Sequence, residues 1–410
     1  MKSKINISIL FSIVVLCEIY IVSFRINLLI QVAFLLFLIV LGIGKISKSF
    51  LKTLLPIIII FIIGILSFFL NDYYIVDFIK DFSHFIKPII VITIGYLVFK
   101  SVNNHIIFFK TIIFIALITA LIHLISVFGF SSLIRGSIKD VRQFGLDNFI
   151  EIYAFFILLF SSKHEVQIFN KQIYKKIIIP ILFVSIFLYF SRTMLGMIII
   201  LGFSFYGLAK LTTKSIKIAG VLLVFLFLFY GYLGTIKLER NSKGIEALLY
   251  KIKIAPGEVF NAKVNRDDHR KLWDHWRAYE AKRAINLMEE NPTSFIFGTG
   301  YGSLVNLKFK APLGENGMRY ISVLHNGYVF VFYKTGILGI FFYFLFLINL
   351  YLRVYHYSED KKIIFFKILI STIGIYFLFT SIIITGIYIP QDSILFILGG
   401  ALFFENKKQI

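Results

Sequence analysis

Long apolar runs recur along the whole chain, and they constrain its fold more than any other feature. A run that crosses about 30 Å of hydrocarbon must be a helix, because lipid offers backbone amides no hydrogen-bond partner. The runs are continuously apolar, whereas the strands of a membrane β-barrel alternate in polarity. The sequence therefore predicts an all-α, polytopic transmembrane bundle of about twelve spans. The spans cover residues 5–22, 26–44, 53–70, 88–99, 106–128, 149–162, 177–190, 194–210, 218–236, 336–352, 363–385 and 391–404.

Polar stretches predict structure outside the bilayer. The longest, Lys237 to Lys334, holds 16 of the 43 Lys and Arg residues and both tryptophans. Within it, Arg270 to Glu290 has apolar residues at helical spacing and predicts a helix, whereas Lys308 to Arg319 predicts a loop. Asn71 to Lys87 mixes charged and apolar residues and predicts a short helix on the membrane surface. We therefore divide the chain into spans one to nine (1–236), a large, partly helical periplasmic loop (237–335) and spans ten to twelve (336–410).

Loop charges set the predicted orientation. With a cytoplasmic N-terminus, the inside links hold 20 Lys and Arg residues and the short outside links hold seven. The positive-inside bias therefore places both termini on the cytoplasmic side and the large loop on the outside. This bias also explains much of the net charge of +21. No basic soluble module with stacking aromatics stands out, so nucleic acid is not an expected partner.

Arginines in the predicted outside links are the first candidate functional residues. Guanidinium groups bind phosphate bidentately and stay charged, so a cluster at the outer leaflet suits the diphosphate of a membrane lipid. The alternative is that each arginine only contacts lipid head groups. Arg192 argues against it, because the Ser191-Arg192-Thr193 turn is too short to need a charge for solubility. The candidates are Arg142, Arg192, Arg266, Arg270, Arg277 and Arg283.

His325 is the candidate base. It lies where the large loop meets the tenth span, and a neutral imidazole can accept a proton from a sugar hydroxyl. A structural role is the alternative, and it is the commoner one for a single histidine. Asp267-Asp268-His269 with His275 has donor types for a divalent cation, but such residues in a linker are usually only solvated. We expect no metal and no cofactor.

Several motifs follow one another in a recognisable order. They are Arg142 with Gly145 and Asn148 before a middle helix, Ser191-Arg192 at a tight outer turn, an Arg/Trp-containing helix in the large loop, Asn291-Pro292, Gly298-Thr299-Gly300-Tyr301-Gly302, His325-Asn326-Gly327-Tyr328 and Lys334-Thr335-Gly336-Ile337-Leu338-Gly339. This order resembles the O-antigen ligase and O-antigen polymerase superfamily. In sequence, the resemblance covers about the second half of the chain.

The resemblance implies a metal-independent, inverting glycosyltransferase of the bacterial inner membrane, with its active site facing the periplasm. Its donor would be an undecaprenyl-diphosphate-linked oligosaccharide. Arg192 and a loop arginine would hold the diphosphate, and His325 would activate the acceptor hydroxyl. Arg270, just before Trp273, matches the loop arginine of the family, and Arg277 or Arg283 could replace it. We thus expect catalytic roles for His325, Arg192 and Arg270, and substrate binding by Arg142, Arg277, Arg283, Arg319 and Asn326.

Four functions fit this pattern. The Gly-Tyr after His325-Asn326 and the extra outer arginines favour an O-antigen polymerase, which adds the glycan to the non-reducing end of another lipid-linked repeat unit. An O-antigen ligase, with lipid A core as acceptor, is the first alternative. A lipid-linked oligosaccharide flippase is the second, although it should show two similar halves. A scaffold of a polysaccharide assembly complex is a non-enzymatic option. The lipid bilayer, a chain-length regulator and other assembly proteins are candidate partners.

Overall fold

The computed structural model describes residues 2–69, 71–130, 148–239, 245–260, 269–313 and 317–407. Helices make up most of them, as the apolar runs predict. The N-terminal half contains α1 (Lys2–Tyr20), α2 (Phe24–Val40), α3 (Lys48–Phe68), α4 (Ile75–Val102), α5 (His105–Phe130), α6 (Phe149–Phe160), α7 (Gln172–Leu188), α8 (Arg192–Phe203) and α9 (Thr213–Thr235). Short 3-10 and π-helical turns, Ser161–His164 and Ser204–Leu208, extend α6 and α8.

The polar stretch folds into four short helices and a hairpin, and two longer helices and one short one follow it. The loop elements are α10 (Ile245–Phe260), α11 (His269–Asp274), α12 (Trp276–Glu289), α13 (Ser294–Phe297), β1 (Val305–Ala311) and β2 (Met318–Ile321). After it come α14 (Gly327–Tyr351), α15 (Lys361–Ile383) and α16 (Ile394–Glu405), with 3-10 turns at Leu352–Tyr355 and Gly386–Tyr388.

Six of the described helices, α3, α4, α5, α9, α14 and α15, are long and apolar enough to cross a membrane. Four shorter apolar helical segments accompany them, within α1, α2, α8 with its π-helical turn, and α16. Every predicted span coincides with or overlaps a helix. The helical, multi-pass architecture is confirmed, while the count of twelve crossings, the side on which the loop lies and the three-part division of the chain stay predictions.

The prediction of a short surface helix at Asn71 to Lys87 is wrong. These residues begin α4, which continues without a break from Ile75 to Val102. Asp81 and Lys87 are almost fully buried within the protein. Asp81 pairs with Lys334 of α14 and Lys87 pairs with Glu18 of α1, and these ion pairs offset part of the cost of burying the charges.

The expectations for the large loop need two corrections. The helix predicted over Arg270 to Glu290 is two helices, α11 and α12, because His275 leaves the helical conformation (φ −123°, ψ 28°) and its Nδ1 lies 2.8 Å from the carbonyl oxygen of Gly257. The predicted loop over Lys308 to Arg319 contributes to an antiparallel hairpin of β1 and β2, with residues 314–316 outside the described part. The fold is thus helical with one small β-hairpin.

The bundle is tightest between α4 and α16. A Cβ atom on Gly95 would lie 2.2 Å from the carbonyl oxygen of Phe396, and one on Gly399 would lie 2.0 Å from that of Ile92. These contacts show that the two backbones approach at glycines, as is common where helices pack in lipid. This packing fixes the position of α4, whose N-terminal half contacts part of the large loop.

A break in α14 attaches the large loop to the bundle. Gly336 has φ 64° and ψ −165°, so the turn before it loses the intrahelical partners of its carbonyl groups. The carbonyl oxygens of Tyr333 and Lys334 accept instead from the backbone N–H groups of Thr299 (2.8 Å) and Gly300 (3.1 Å). The Gly298–Gly302 segment is therefore a docking turn.

A buried ion pair holds the same turn on α4. Lys334 Nζ lies 2.5 Å from Asp81 Oδ2, and both side chains are fully buried. Asp81 Oδ2 also accepts from the backbone N–H of Gly302 at 2.7 Å, and Asp81 Oδ1 accepts from the hydroxyl of Ser322. Asp81 thus joins α4, α14 and both ends of the segment between α13 and α14, which brings the residues just before α14 to a defined place.

Candidate functional site

Arg192 stands at the start of α8, after the shortest of the predicted outer turns. Phe190 adopts a positive φ of 45°, and the Ser191 side chain caps the helix by accepting from the N–H of Met194. This turn places the Arg192 side chain against α10. Its guanidinium donates to Glu258 Oε2 and to the carbonyl oxygen of Lys251, each at 2.6 Å.

Arg277 meets Arg192 at the same carboxylate. It lies in the first turn of α12, and its guanidinium donates to Glu258 Oε2 at 2.6 Å. Its Nε donates to the carbonyl oxygen of Ile383, the last residue of α15, also at 2.6 Å. A carbonyl at a helix C-terminus lacks an intrahelical partner and carries partial negative charge, so it is a suitable acceptor for a cation. Arg192, Glu258 and Arg277 are the cationic site.

The electrostatics of the cationic site suit an anion. Burial lowers the pKa of Arg277, the nearby Glu258 raises it, Arg192 lowers it and Glu280 raises it. Two guanidinium groups facing one carboxylate oxygen leave an excess of one positive charge in a place where water is partly excluded. Such a pair binds phosphate oxygens in the same way, because carboxylate and phosphate offer guanidinium similar acceptor geometry.

A carboxylate and an imidazole form the second part of the site. Nδ1 of His325 lies 3.0 Å from both oxygens of Glu280, and the backbone N–H of His325 donates to Glu280 Oε2 at 3.0 Å. The Glu280 side chain is 1% exposed and the His325 side chain 51% exposed. Since the carboxylate can only accept, Nδ1 carries the proton, and Nε2 of a neutral ring is left as an acceptor.

Helix α12 joins the two parts. Arg277 and Glu280 are three residues apart, so they share one face of the helix, and their charges interact. Arg277 thereby belongs to the cationic site, while Glu280 contacts His325. The structure brings Arg192, Arg277 and His325 around one helix face; their catalytic and binding roles stay predictions.

The remaining predicted site residues lie elsewhere or outside the described part. The Nε of Arg283 donates to the carbonyl oxygen of Asn306 at 2.9 Å, and that of Arg319 donates to the Asn306 side chain at 3.4 Å. The guanidinium of Arg319 also lies 5.9 Å from the centre of the Tyr320 ring. Asn326 caps α14 through the N–H of Val329. Arg142, Arg266 and the side chain of Arg270 fall outside the described residues.

No sequence pattern pointed to Glu258, and only a weak one pointed to Glu280. Glu280 follows Arg277 by three positions on a predicted helix, so a shared face was foreseeable, but its pairing with His325 was not. Glu258 lies in α10, which has no motif that marks a site. Among the described residues, no group of three or more His, Cys, Asp or Glu side chains is placed to hold a metal ion.

These features define a multi-pass membrane protein in which one helix of the large loop, α12, contributes to both a cationic site and a carboxylate–imidazole pair. Residues 177–344 match the family model described as O-antigen ligase. The match begins in α7 and ends in α14, so it contains both parts of the site. The resemblance to the O-antigen ligase and polymerase superfamily is thereby confirmed. No curated protein and no solved structure matches the chain.

Proposed function

We propose that the protein is a glycosyltransferase that takes an undecaprenyl-diphosphate-linked glycan as donor and works as an O-antigen polymerase. One observation carries the proposal: Arg192 and Arg277 converge on a single anionic oxygen, beside an imidazole held by Glu280. A diphosphate is the leaving group that such a pair of cations serves best, because negative charge develops on it as it departs.

The transfer step follows from this arrangement. An acceptor sugar hydroxyl attacks the anomeric carbon of the donor glycan, and Nε2 of His325 takes the hydroxyl proton. The bond between the anomeric carbon and the diphosphate oxygen breaks, and the electron pair leaves with the lipid diphosphate. Arg192 and Arg277 stabilise the charge on that oxygen. Attack on the side opposite the leaving group inverts the configuration, and the two guanidinium groups supply the positive charge that the step needs.

Glu280 prepares His325 for this role. It fixes the ring through two contacts, one to Nδ1 and one to the backbone N–H, and it stabilises the imidazolium that forms when Nε2 accepts the proton. Glu280 touches neither substrate in this scheme, so it is a positioning residue. Its burial keeps it away from water, which strengthens the interaction.

The acceptor separates polymerase from ligase. The His325-Asn326-Gly327-Tyr328 motif favours the polymerase, in which the acceptor is another lipid-linked repeat unit. The description of the matching family favours the ligase, in which it is lipid A core, and the ligase therefore stays the second candidate. Deleting the gene decides between them. Cells that lack a polymerase carry single repeat units on lipopolysaccharide, whereas cells that lack a ligase carry none.

The predicted setting is the bacterial inner membrane, with both termini in the cytoplasm, the site facing the periplasm and a chain-length regulator as a candidate partner. A flippase remains the competing class. Purified protein in liposomes should lengthen or transfer a labelled lipid-linked glycan supplied to the loop side. Movement of the labelled lipid across the bilayer without any transfer would favour the flippase and overturn the proposal.

A further inference from the structure

A groove with a volume of about 370 Å³ opens between the first turn of α2 and the first turns of α4. It is well separated in sequence from the large loop. Both helices that border it begin there, so the groove lies at an end of the apolar bundle where a lipid headgroup region would be. Its lining residues are Phe24, Arg25, Val76, Ile79, Lys80, Ser83 and His84.

The groove and the docking turn lie on opposite sides of α4. The lining residues of α4 recur at intervals of three and four, so they form one helix face. Asp81 and Phe85 lie on the other face, where Asp81 accepts from Ser322 and the Phe85 ring packs 4.7 Å from that of Tyr301. The groove shares no lining residue with the cationic site or with the His325–Glu280 pair.

The groove carries one net positive charge from its ionised Arg, Lys and Asp side chains. Arg25 is exposed and has no hydrogen bond or ion pair with any described residue. Lys80 lies 2.7 Å from Asp77 Oδ1, which neutralises it. Arg25 thus offers all the donors of its guanidinium to an outside anion, in the fork geometry that phosphate oxygens match.

Apolar and aromatic groups surround this charge. Val76 and Ile79 are 57% and 54% exposed, although both line the groove. The His84 ring stacks on Phe24 with 4.1 Å between centroids, and His84 Nδ1 is a buried polar atom without a partner among the described residues. A ligand that fits this lining joins an anionic group to hydrocarbon, as a membrane lipid does.

We propose that this groove binds the phosphodiester headgroup of an acidic glycerophospholipid, with Arg25 on the phosphate and the acyl chains over Val76 and Ile79. The single net charge favours a headgroup with one negative charge over a polyprenyl diphosphate, which carries more. This site is independent of the proposed transfer reaction, because it uses neither the cationic site nor His325.

Native mass spectrometry of the detergent-purified full chain tests the proposal, with phosphatidylglycerol and zwitterionic phosphatidylethanolamine as probes. Arg25→Gln should weaken phosphatidylglycerol binding about fivefold, the loss expected for one basic residue beside an acidic lipid. Asp77→Asn should strengthen it by a similar factor, because Lys80 is then unpaired. Lys52→Gln, which removes an exposed cation in the first turns of α3 and away from the groove, is the matched control and should change nothing.

The two groove variants should change phosphatidylglycerol binding in opposite directions. General electrostatic attraction to the protein, or misfolding of the variants, would not produce this result. Equal losses in Arg25→Gln and Lys52→Gln would overturn the proposal, and so would weaker binding in Asp77→Asn. Equal retention of the two phospholipids by the unmodified protein would also overturn it. Preference of the groove for undecaprenyl diphosphate, lost in Arg25→Gln, would show that the ligand is a lipid diphosphate and that the charge argument is wrong.

Discussion

Arg192 and Arg277 donate to the same atom, Oε2 of Glu258, each at 2.6 Å. One arginine begins a helix of the bundle and the other lies in the large loop, so the contact joins the two regions. Two like charges this close repel each other unless an anion lies between them. Glu258 occupies that place here, and the proposed donor diphosphate would take it during transfer.

Replacing either arginine of the cationic site should abolish most of the transfer activity. We expect Arg192→Gln and Arg277→Gln each to lower the rate about 100-fold or more, the usual cost of removing one donor that stabilises a developing anion. Lysine at either position should restore only part of it, because it keeps the charge but loses the guanidinium fork. The assay is glycan transfer by membranes of a deletion strain, normalised to the amount of protein.

Lys310→Gln is the matched control for these variants, since it removes an exposed cation from β1 of the same loop. It should retain full activity. Normal transfer by both arginine variants would exclude the cationic site from the reaction.

The His325–Glu280 pair should behave as one unit. His325→Ala is expected to lower the transfer rate about 100- to 10,000-fold, the range for loss of a general base. Glu280→Gln should lower it by a smaller but comparable factor, because the amide keeps the shape and loses the negative charge. The double variant should be no slower than His325→Ala alone, since Glu280 acts through the histidine. A multiplicative loss in the double variant would instead indicate a separate structural role for Glu280.

Glu258 should compete with the donor. Removing its charge in Glu258→Gln is expected to tighten binding of undecaprenyl diphosphate about tenfold, because the ligand no longer displaces a charge-assisted hydrogen bond. The measurement is a binding titration with the purified protein. Glu246→Gln, which changes an exposed carboxylate in the first turn of α10, is the control. If Glu258 only holds the loop together, its variant will bind the lipid more weakly and unfold at a lower temperature.

The break at Gly336 should not tolerate a side chain. A Cβ there would lie 2.2 Å from the carbonyl oxygen of Ile296, and the positive φ of 64° is strained for any other residue. Gly336→Ala is expected to lower the free energy of unfolding by about 2 kcal/mol or more and to reduce transfer, because the docking turn shifts. Thermal unfolding in detergent measures the first effect. Gly220→Ala in α9, where a Cβ meets nothing within 4 Å, should be neutral or stabilising.

Much of the helical architecture was accessible from the sequence. The apolar runs predicted where helices lie because an uninterrupted apolar run in lipid has only one way to satisfy its backbone. The large polar stretch was recognised for the same reason, since it cannot enter the bilayer. The unbroken α4 was missed, because the charges of Asp81 and Lys87 look solvent-exposed until their partners on other elements are known.

The candidate site was accessible only in part. Arg192 stood out because its turn is too short to need a charge for solubility, and His325 because it lies where the large loop meets a span. Among the loop arginines the sequence favoured Arg270, whose side chain lies outside the described residues, with Arg277 or Arg283 as alternatives. The structure places Arg277 beside Arg192, while Arg283 and Arg319 contact Asn306. Glu280 and Glu258 escaped notice because carboxylates on polar helices are common.

The sequence by itself determined that this chain is a helical membrane protein with one large polar loop, and it identified side chains able to bind an anion and accept a proton. Only the tertiary structure decided which of them meet. Contacts such as Arg192 with Glu258, and His325 with Glu280, join segments far apart in sequence, and the segment that leads to His325 is held by the docking turn on the break in α14. That docking is set by backbone groups and a buried ion pair, which have no local pattern in the sequence.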